Sequence, residues 1–356
     1  MTQLSQIYTL LLLVAVLPGC TTIGYYSQAV SGHVSLMWSS DPVDELLDNP
    51  DTEPWLTRKL LLARDARQFA ESRLSLPVGD AFTTYTELGR PWVVVNLVAA
   101  PEFSLNPRQW CYPVVGCQAY RGYFDLADAR TEEEILRAGG YDTFIGGVTA
   151  YSTLGWFDDP LHSGFTSLPD DRMVSLMFHE LAHRVLYIDE DTAFNESFAT
   201  AVELEGLRLW LQARGEGGQF EAALKRLEYR NITLALVETT VSELDALYQR
   251  AGSLPDMAMR EQKQRLLDDL ATRYNALARD WDEPGPFGET VSTLNNANLA
   301  LFRQYNQYVP GFRQLLREHA YDFPRFFTEV QALSEQAPEQ RTATLLRLSE
   351  RFDKHL

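Results

Sequence analysis

The chain is poor in positive charge: 31 Lys and Arg stand against 49 Asp and Glu, giving a net charge of -18, and no Lys or Arg precedes Arg58. Phosphate binding depends on clustered cations, so this composition argues against nucleic acid as a partner. The acidic residues are spread through helical segments as ordinary solvated surface. Cysteine is scarce as well. With three in 356 residues the chain is no disulfide-stapled scaffold, and its 45% apolar content is enough for one large or two modest packed cores. The apolar run from Leu10 to Leu17 is too short to span a bilayer. No internal repeat of fixed period and no low-complexity tract is visible.

That apolar run is followed at once by Pro18, Gly19 and Cys20. The order resembles the lipobox of bacterial lipoprotein signal peptides, which implies a signal peptide over residues 1–19 and lipidation of Cys20 as the mature N-terminus. Thr21, rather than Asp, follows the Cys and implies the outer membrane, with the folded body on its periplasmic face. An inner-membrane anchor, an ordinary secretory signal and a soluble periplasmic protein are the alternatives. In an oxidising compartment Cys111 and Cys117, with five residues between them, are expected to form a disulfide. The competing metal-binding pair lacks two further ligands nearby.

The periodicity predicts a mostly helical α+β protein. Tyr25 to Leu74 reads as helical, most clearly in PWLTRKLLLARDARQFAESRL, where Pro54 suits a first helical turn. Trp92 to Ala99 and Thr143 to Leu154 read as strands of a small mixed sheet. After Asp170 the pattern is helical again, and two long helices around the turn AGSLP are expected to form a hairpin until EPGPFG breaks them. The expected parts are 20–217, with the sheet and the helices that carry the chemistry, and 218–356, helical and packed on it.

The chemistry lies in HELAH, His179 to His183. Side chains four residues apart on a helix share a face, so both imidazoles can bind one zinc ion. Glu180 projects to the side, where it can act as general base toward a water without being a ligand. The short segment YIDEDTA then leads into a new helix expected to open with Asn195 and Glu196. A carboxylate there faces the first helix, and Glu196 completes a two-His, one-Glu donor set that leaves a fourth position open. Its bland alternative is a favourable charge at a helix N-terminus. Ala199 is small enough for the two helices to approach closely.

YYSQAVSGH, WCYPVVGC with YRGYF, GGVTAYSTLGWFDDP, FHELAH, FNESFA and LNNA together resemble the bacterial predicted zinc aminopeptidases of lipoprotein type, in the gluzincin branch of HExxH peptidases. The resemblance covers nearly the whole chain after residue 19. It implies a zincin-like catalytic core, one Zn2+ per chain held by His179, His183 and Glu196, Glu180 as base, and peptides as substrate. The GxMEN segment with which well-studied gluzincin aminopeptidases hold a free amine does not occur, so an endopeptidase remains an alternative to an aminopeptidase. A non-catalytic zinc-containing outer-membrane interaction lipoprotein is the rival from another class. Glu180 argues against it, because a structural site has no use for an acid in the base position.

Further candidates follow from position. Tyr305 and Tyr308, after the Asn295-Asn296 pair, can donate to a developing oxyanion, or can simply be core aromatics. Asn195, Thr200 and Glu203 can orient a histidine from the second helix, or can face solvent. Val148 to Leu154, VTAYSTL, is expected to be an edge strand that pairs with an extended peptide, with Ala150, Tyr151 and Ser152 at its centre. Asp158 and Asp159 can meet a substrate's α-amine, or can be turn formers before Pro160.

Overall fold

The computed structural model describes residues 19–112, 116–148, 159–189, 191–303 and 307–352. The chain is mostly helical, at 62%, with small mixed sheets, which places it in the α+β class. The N-terminal helical stretch is three helices: α1 (Gly19–Trp38), α2 (Val43–Asp48) and α3 (Pro54–Leu74). Pro54 occupies the first turn of α3, where its missing N–H costs nothing, and Ser75 closes the helix in the left-handed region at φ 53°. Leu60, Ala63, Ala66, Ala70 and Leu74 recur at helical spacing and form its buried face. No helix among the described residues is long and apolar enough to cross a membrane.

The strands make three small sheets. β1 (Asp41–Pro42), β2 (Thr84–Thr86) and β8 (Leu161–His162) form one, with β2 central. β4 (Trp110–Tyr112) and β5 (Gly116–Gln118) form a hairpin in which Cys111 and Cys117 are register partners and are joined by a disulfide. The third sheet has the order β6-β3-β7, from β6 (Arg121–Tyr123), β3 (Val94–Pro101) and β7 (Tyr141–Val148), all antiparallel. The second expected strand is present from Tyr141 to Val148, and residues 149–158 lie outside the described residues. On one face of β3, Val95, Leu97 and Ala99 pack with Trp110, Tyr123 and with Ala129 and Leu136 of α4 (Leu126–Ala138).

After the short α5 (Ser163–Thr166) come α6 (Asp170–His183) and α7 (Thr192–Ala213). The second of these opens at Thr192, three residues before the Asn195 expected from sequence, because Asp191 caps it: its carboxylate accepts from the Phe194 N–H at 3.1 Å. Gly206 sets how close α7 comes. A Cβ there would lie 2.9 Å from both Leu74 Cδ1 and Phe178 Cδ2, so only glycine allows this approach to α3 and α6. Ala199, two turns earlier on the same face of α7, is fully buried.

α8 (Phe220–Tyr248) and α9 (Asp256–Ala278) form the hairpin, turning at 251–255 as expected, and α10 (Asn296–Arg303) lies against β3 and β7. Asn295 and Asn296 fix that contact. Asn295 donates to the Thr143 carbonyl at 2.9 Å, and Asn296 donates to the Pro101 and Glu102 carbonyls at 3.1 and 3.0 Å. The last helices, α11 (Val309–Glu318), α12 (Phe323–Ser334) and α13 (Pro338–Arg351), place Phe312, Phe326 and Leu345 in the same buried cluster as Phe178 and Phe198. The large core thus draws on both ends of the chain around α6 and α7.

Candidate metal centre

α6 buries Met173, Val174, Met177, Phe178, Leu181 and Ala182, and this fixes its rotation. His179 and His183 then emerge together at the end of the helix, facing α7. Their Nε2 atoms lie 3.2 Å apart. Glu196, in the second turn of α7, places Oε2 3.3 Å from His179 Nε2 and Oε1 3.7 Å from His183 Nε2. Among the described residues, these three side chains are the group whose donor atoms converge closely enough to hold a metal ion. Two donors about 2.05 Å from a tetrahedral zinc sit roughly 3.3 Å from each other, so the separations fit such an ion.

Protonation fits it too. Glu203, one helical stretch past Glu196, lies with Oε2 3.0 Å from His179 Nδ1, and its Oε1 accepts from the Ser175 hydroxyl at 3.1 Å. Burial opposes the charge of Glu203, but the bond and charge of His179, the Ser175 hydroxyl and Arg230 together outweigh it and hold the carboxyl below its ordinary range. An ionised carboxylate can only accept, so His179 donates from Nδ1 and leaves Nε2 to face the centre. For Glu196, too, burial is outweighed, by His179 and His183, and the group stays ionised. His179 is held well above its ordinary value, because Glu196 and Glu203 override the burial that works against its charge, so a metal ion bound at Nε2 takes the place of a proton there. His183 is pushed down to about 4 by burial and by its charged neighbour His179. A neutral imidazole, an oriented imidazole and a carboxylate make a suitable donor set for zinc.

Glu180 is half-buried beside this group. Burial raises its carboxyl to about 7, with His179 pulling it down and Glu196, Asp159 and Glu203 pushing it up. A carboxyl poised there can take up and release a proton near neutral pH.

The centre opens into a cavity of about 1000 Å³. One wall is aromatic and polar, with Tyr25, Tyr112, Tyr120 and Tyr187. Phe287, Leu294, Leu301 and Phe302 add an apolar part to the lining. Its floor is the sheet face that carries Val94, Asn96 and Val148. Tyr120 and Tyr187 are close enough to Glu196 to feel its charge. Burial first, and then the neighbouring acidic groups, keep both phenols protonated. Arg230 of α8 also lines the cavity and acts electrostatically on Glu196 and Glu203.

Of the other residues expected to take part, Glu203 is brought to the centre and bonded to His179. Asn195 is buried but turned to the loop, where it closes the turn after α6 by bonding the Ile188 N–H at 2.9 Å and its carbonyl at 2.7 Å. Thr200 is half-buried on α7 and does not line the cavity. Tyr308 is a correction: it sits in the C-terminal core, its hydroxyl 3.3 Å from Thr342 Oγ1, away from the cavity. Asp159 is buried and close enough to raise Glu180, while its carbonyl accepts from the Phe82 N–H. Tyr305, Ala150, Tyr151, Ser152 and Asp158 lie outside the described residues. Sequence reasoning missed Tyr120, Tyr187, Arg230 and Asn96. Only the placing of Tyr120 in YRGYF and of Tyr187 one turn beyond HELAH offered any signal for two of them.

Fold and site together define a mostly helical α+β protein with a His-His-Glu group able to hold a metal ion in the lining of a large cavity. The chain belongs to the family whose model is described as "Putative aminopeptidase", which it matches over residues 24–345. That family description points to peptide hydrolysis, with peptides as substrate. Comparison with curated proteins and with solved structures yields no significant match to either.

Proposed function

We propose that this protein is a zinc-dependent peptidase, holding one Zn2+ through His179, His183 and Glu196 in a zincin-like core of the gluzincin kind, and that it removes residues from peptide N-termini. The observation that carries the reading is the convergence of those three donors, with Glu203 behind His179 and Glu180 beside them. Zinc so held supplies the Lewis acidity that lets water attack an amide carbonyl near neutral pH. Glu180 takes the proton of the attacking water on its carboxylate and delivers it to the leaving amine as the C–N bond breaks. The protonated phenols of Tyr120 and Tyr187, in place of Tyr308, are the hydrogen-bond donors for the carbonyl oxygen as it gains charge. The family description supports action at peptide N-termini. The apolar run before Cys20 supports lipid attachment there, on the periplasmic face of the outer membrane.

The deciding experiment combines metal analysis with digestion of a peptide library whose members are N-terminally blocked or free. One zinc per chain and cleavage of free members alone is the expected result. Cleavage of blocked and free members alike would make it an endopeptidase, and tight zinc without any cleavage would leave a metal-containing scaffold. For the anchor, Cys20→Ser should release the exported protein from the membrane fraction, and unchanged lipid labelling would rule the anchor out.

A further inference from the structure

Asn96 is out of place for a strand interior. It lies in the middle of β3, the central strand of its sheet, where asparagine is disfavoured, and between Val94 and Ala100 it alone is not fully buried. Its carboxamide makes no hydrogen bond to another described residue, although every ordinary role for a polar group in a sheet core is to satisfy a neighbour. Instead it lines the cavity that holds the metal centre.

The register explains how it is exposed. Asn96 is paired with Gly122 on β6 and with Gly146 on β7, so the row across the floor reads glycine, asparagine, glycine. Both glycines line the same cavity. The next row toward the strand start places Val94 opposite Val148, and the next row the other way places Val98 opposite Phe144. The polar side chain is therefore flanked by bare backbone at Gly122, while on the β7 side the Phe144 ring covers Gly146, and apolar rows bound it along the strand. A Cβ on Gly122 would stand 3.5 Å from Asn96 Oδ1, directly over the approach to the amide.

We propose that the Asn96 carboxamide is the main-chain anchor of the cavity: it hydrogen-bonds an amide group of the bound peptide, and Gly122 lacks a side chain so that the peptide backbone can reach it from the β6 side. The proposal rests on the peptidase reading above and names its positioning residue. A carboxamide offers both an N–H donor and a carbonyl acceptor, matching the two groups of a peptide unit and independent of the substrate's side chains. The chemistry recognised is thus backbone amide, with side-chain preference left to the apolar part of the lining.

The test uses the full zinc-loaded chain and pentaalanine with free termini, together with depsipeptides in which one amide N–H at a time is replaced by an ester oxygen. Binding is measured by titration calorimetry in Glu180→Gln, which prevents turnover, and KM and kcat in the otherwise native chain. Asn96→Ala should weaken binding and raise KM about fivefold to tenfold, with kcat within about twofold, as loss of one good hydrogen bond implies. Zinc content and unfolding temperature should not change. At least one depsipeptide should bind the Asn96-containing protein several-fold worse than pentaalanine, yet bind Asn96→Ala no worse. Gly122→Ala, which leaves the amide in place and adds a methyl at van der Waals distance, should raise KM in the same direction, and it carries the test if Asn96→Ala does not fold. An unchanged KM and affinity, or equal ester penalties with and without Asn96, overturns the anchor while leaving the peptidase reading intact. A native chain that neither binds nor cleaves any of these peptides overturns both.

Discussion

Helices α6 and α7 pack side by side as α8 and α9 do, yet the two seams are filled with opposite chemistry. Between α8 and α9 lie Val237, Val241, Leu244, Leu267 and Leu270, with the polar contact of Arg273 to Thr240 at 3.2 Å beside them. Between α6 and α7 an apolar base of Met177, Phe178, Ala199 and Val202 gives way to Ser175, Glu203, His179, Glu196 and His183. An apolar seam is held by burial, which has no preferred partner and no pH dependence. The polar seam holds together only because each buried charge meets another: Glu203 is satisfied by Ser175 and His179, and Glu196 by both imidazoles. The first arrangement supplies stability and the second supplies a site, at some expense of stability.

The sharpest way to separate the two seams is Glu180→Gln. The amide cannot accept the water's proton, so we expect turnover to fall by roughly a thousandfold or more while metal content and unfolding temperature hold. Turnover near that of the native chain would remove Glu180 from the mechanism. Leu270→Ala acts on the other seam. It leaves a cavity at a fully buried position, and denaturant unfolding should show a loss of about 2–5 kcal/mol with zinc affinity unaltered. If zinc binding weakened as well, the two seams would be mechanically coupled.

His162 tests the same contrast from outside both seams, since it is a buried imidazole without a carboxylate. Burial pushes it down to about 4, and its ring stands edge-on to Phe165 at 4.9 Å. Its unfolded value is about 6.5, so between pH 6.5 and 4 the unfolded chain binds the extra proton. Stability should be complete above pH 6.5 and fall by about 3 kcal/mol as the pH drops toward 4. His162→Phe should flatten that limb in pH-dependent unfolding, and an unchanged acid limb would count against the assignment. The smallest expected effect is Glu203→Gln. Loss of the charged acceptor behind His179 should weaken zinc binding about 10–100-fold without displacing it, as read by competition with a chelator. An unaltered affinity would mean that His179 keeps its orientation without Glu203.

What was legible in the sequence is what depends on near neighbours along the chain. HELAH places its two imidazoles on one helical face whatever surrounds the helix, and Glu196 and Glu203 follow because a short turn returns the chain against the same face. The strand from Val94, the α8–α9 hairpin and the Cys111–Cys117 pair were legible for the same reason. The start of α7 was misjudged by three residues because Asp191, in a loop rich in acids, gives no sign of which carboxylate will cap. Tyr308 looked available because a tyrosine near a site always does. Only the packing of α11 on α7, with the Ser197 hydroxyl accepting from the Tyr308 N–H, shows that it belongs to the core.

By itself, then, the sequence determined that His179 and His183 share one helical face with Glu180 beside them, since helix geometry converts a spacing of four into a shared face. The cavity was decided only in three dimensions. Tyr120 comes from the segment before β6, Tyr187 from the loop after α6, Arg230 from α8 and the row Gly122, Asn96 and Gly146 from three strands. Strand pairing has no fixed spacing along the chain, so the register that puts an asparagine between two glycines has no counterpart in any local pattern.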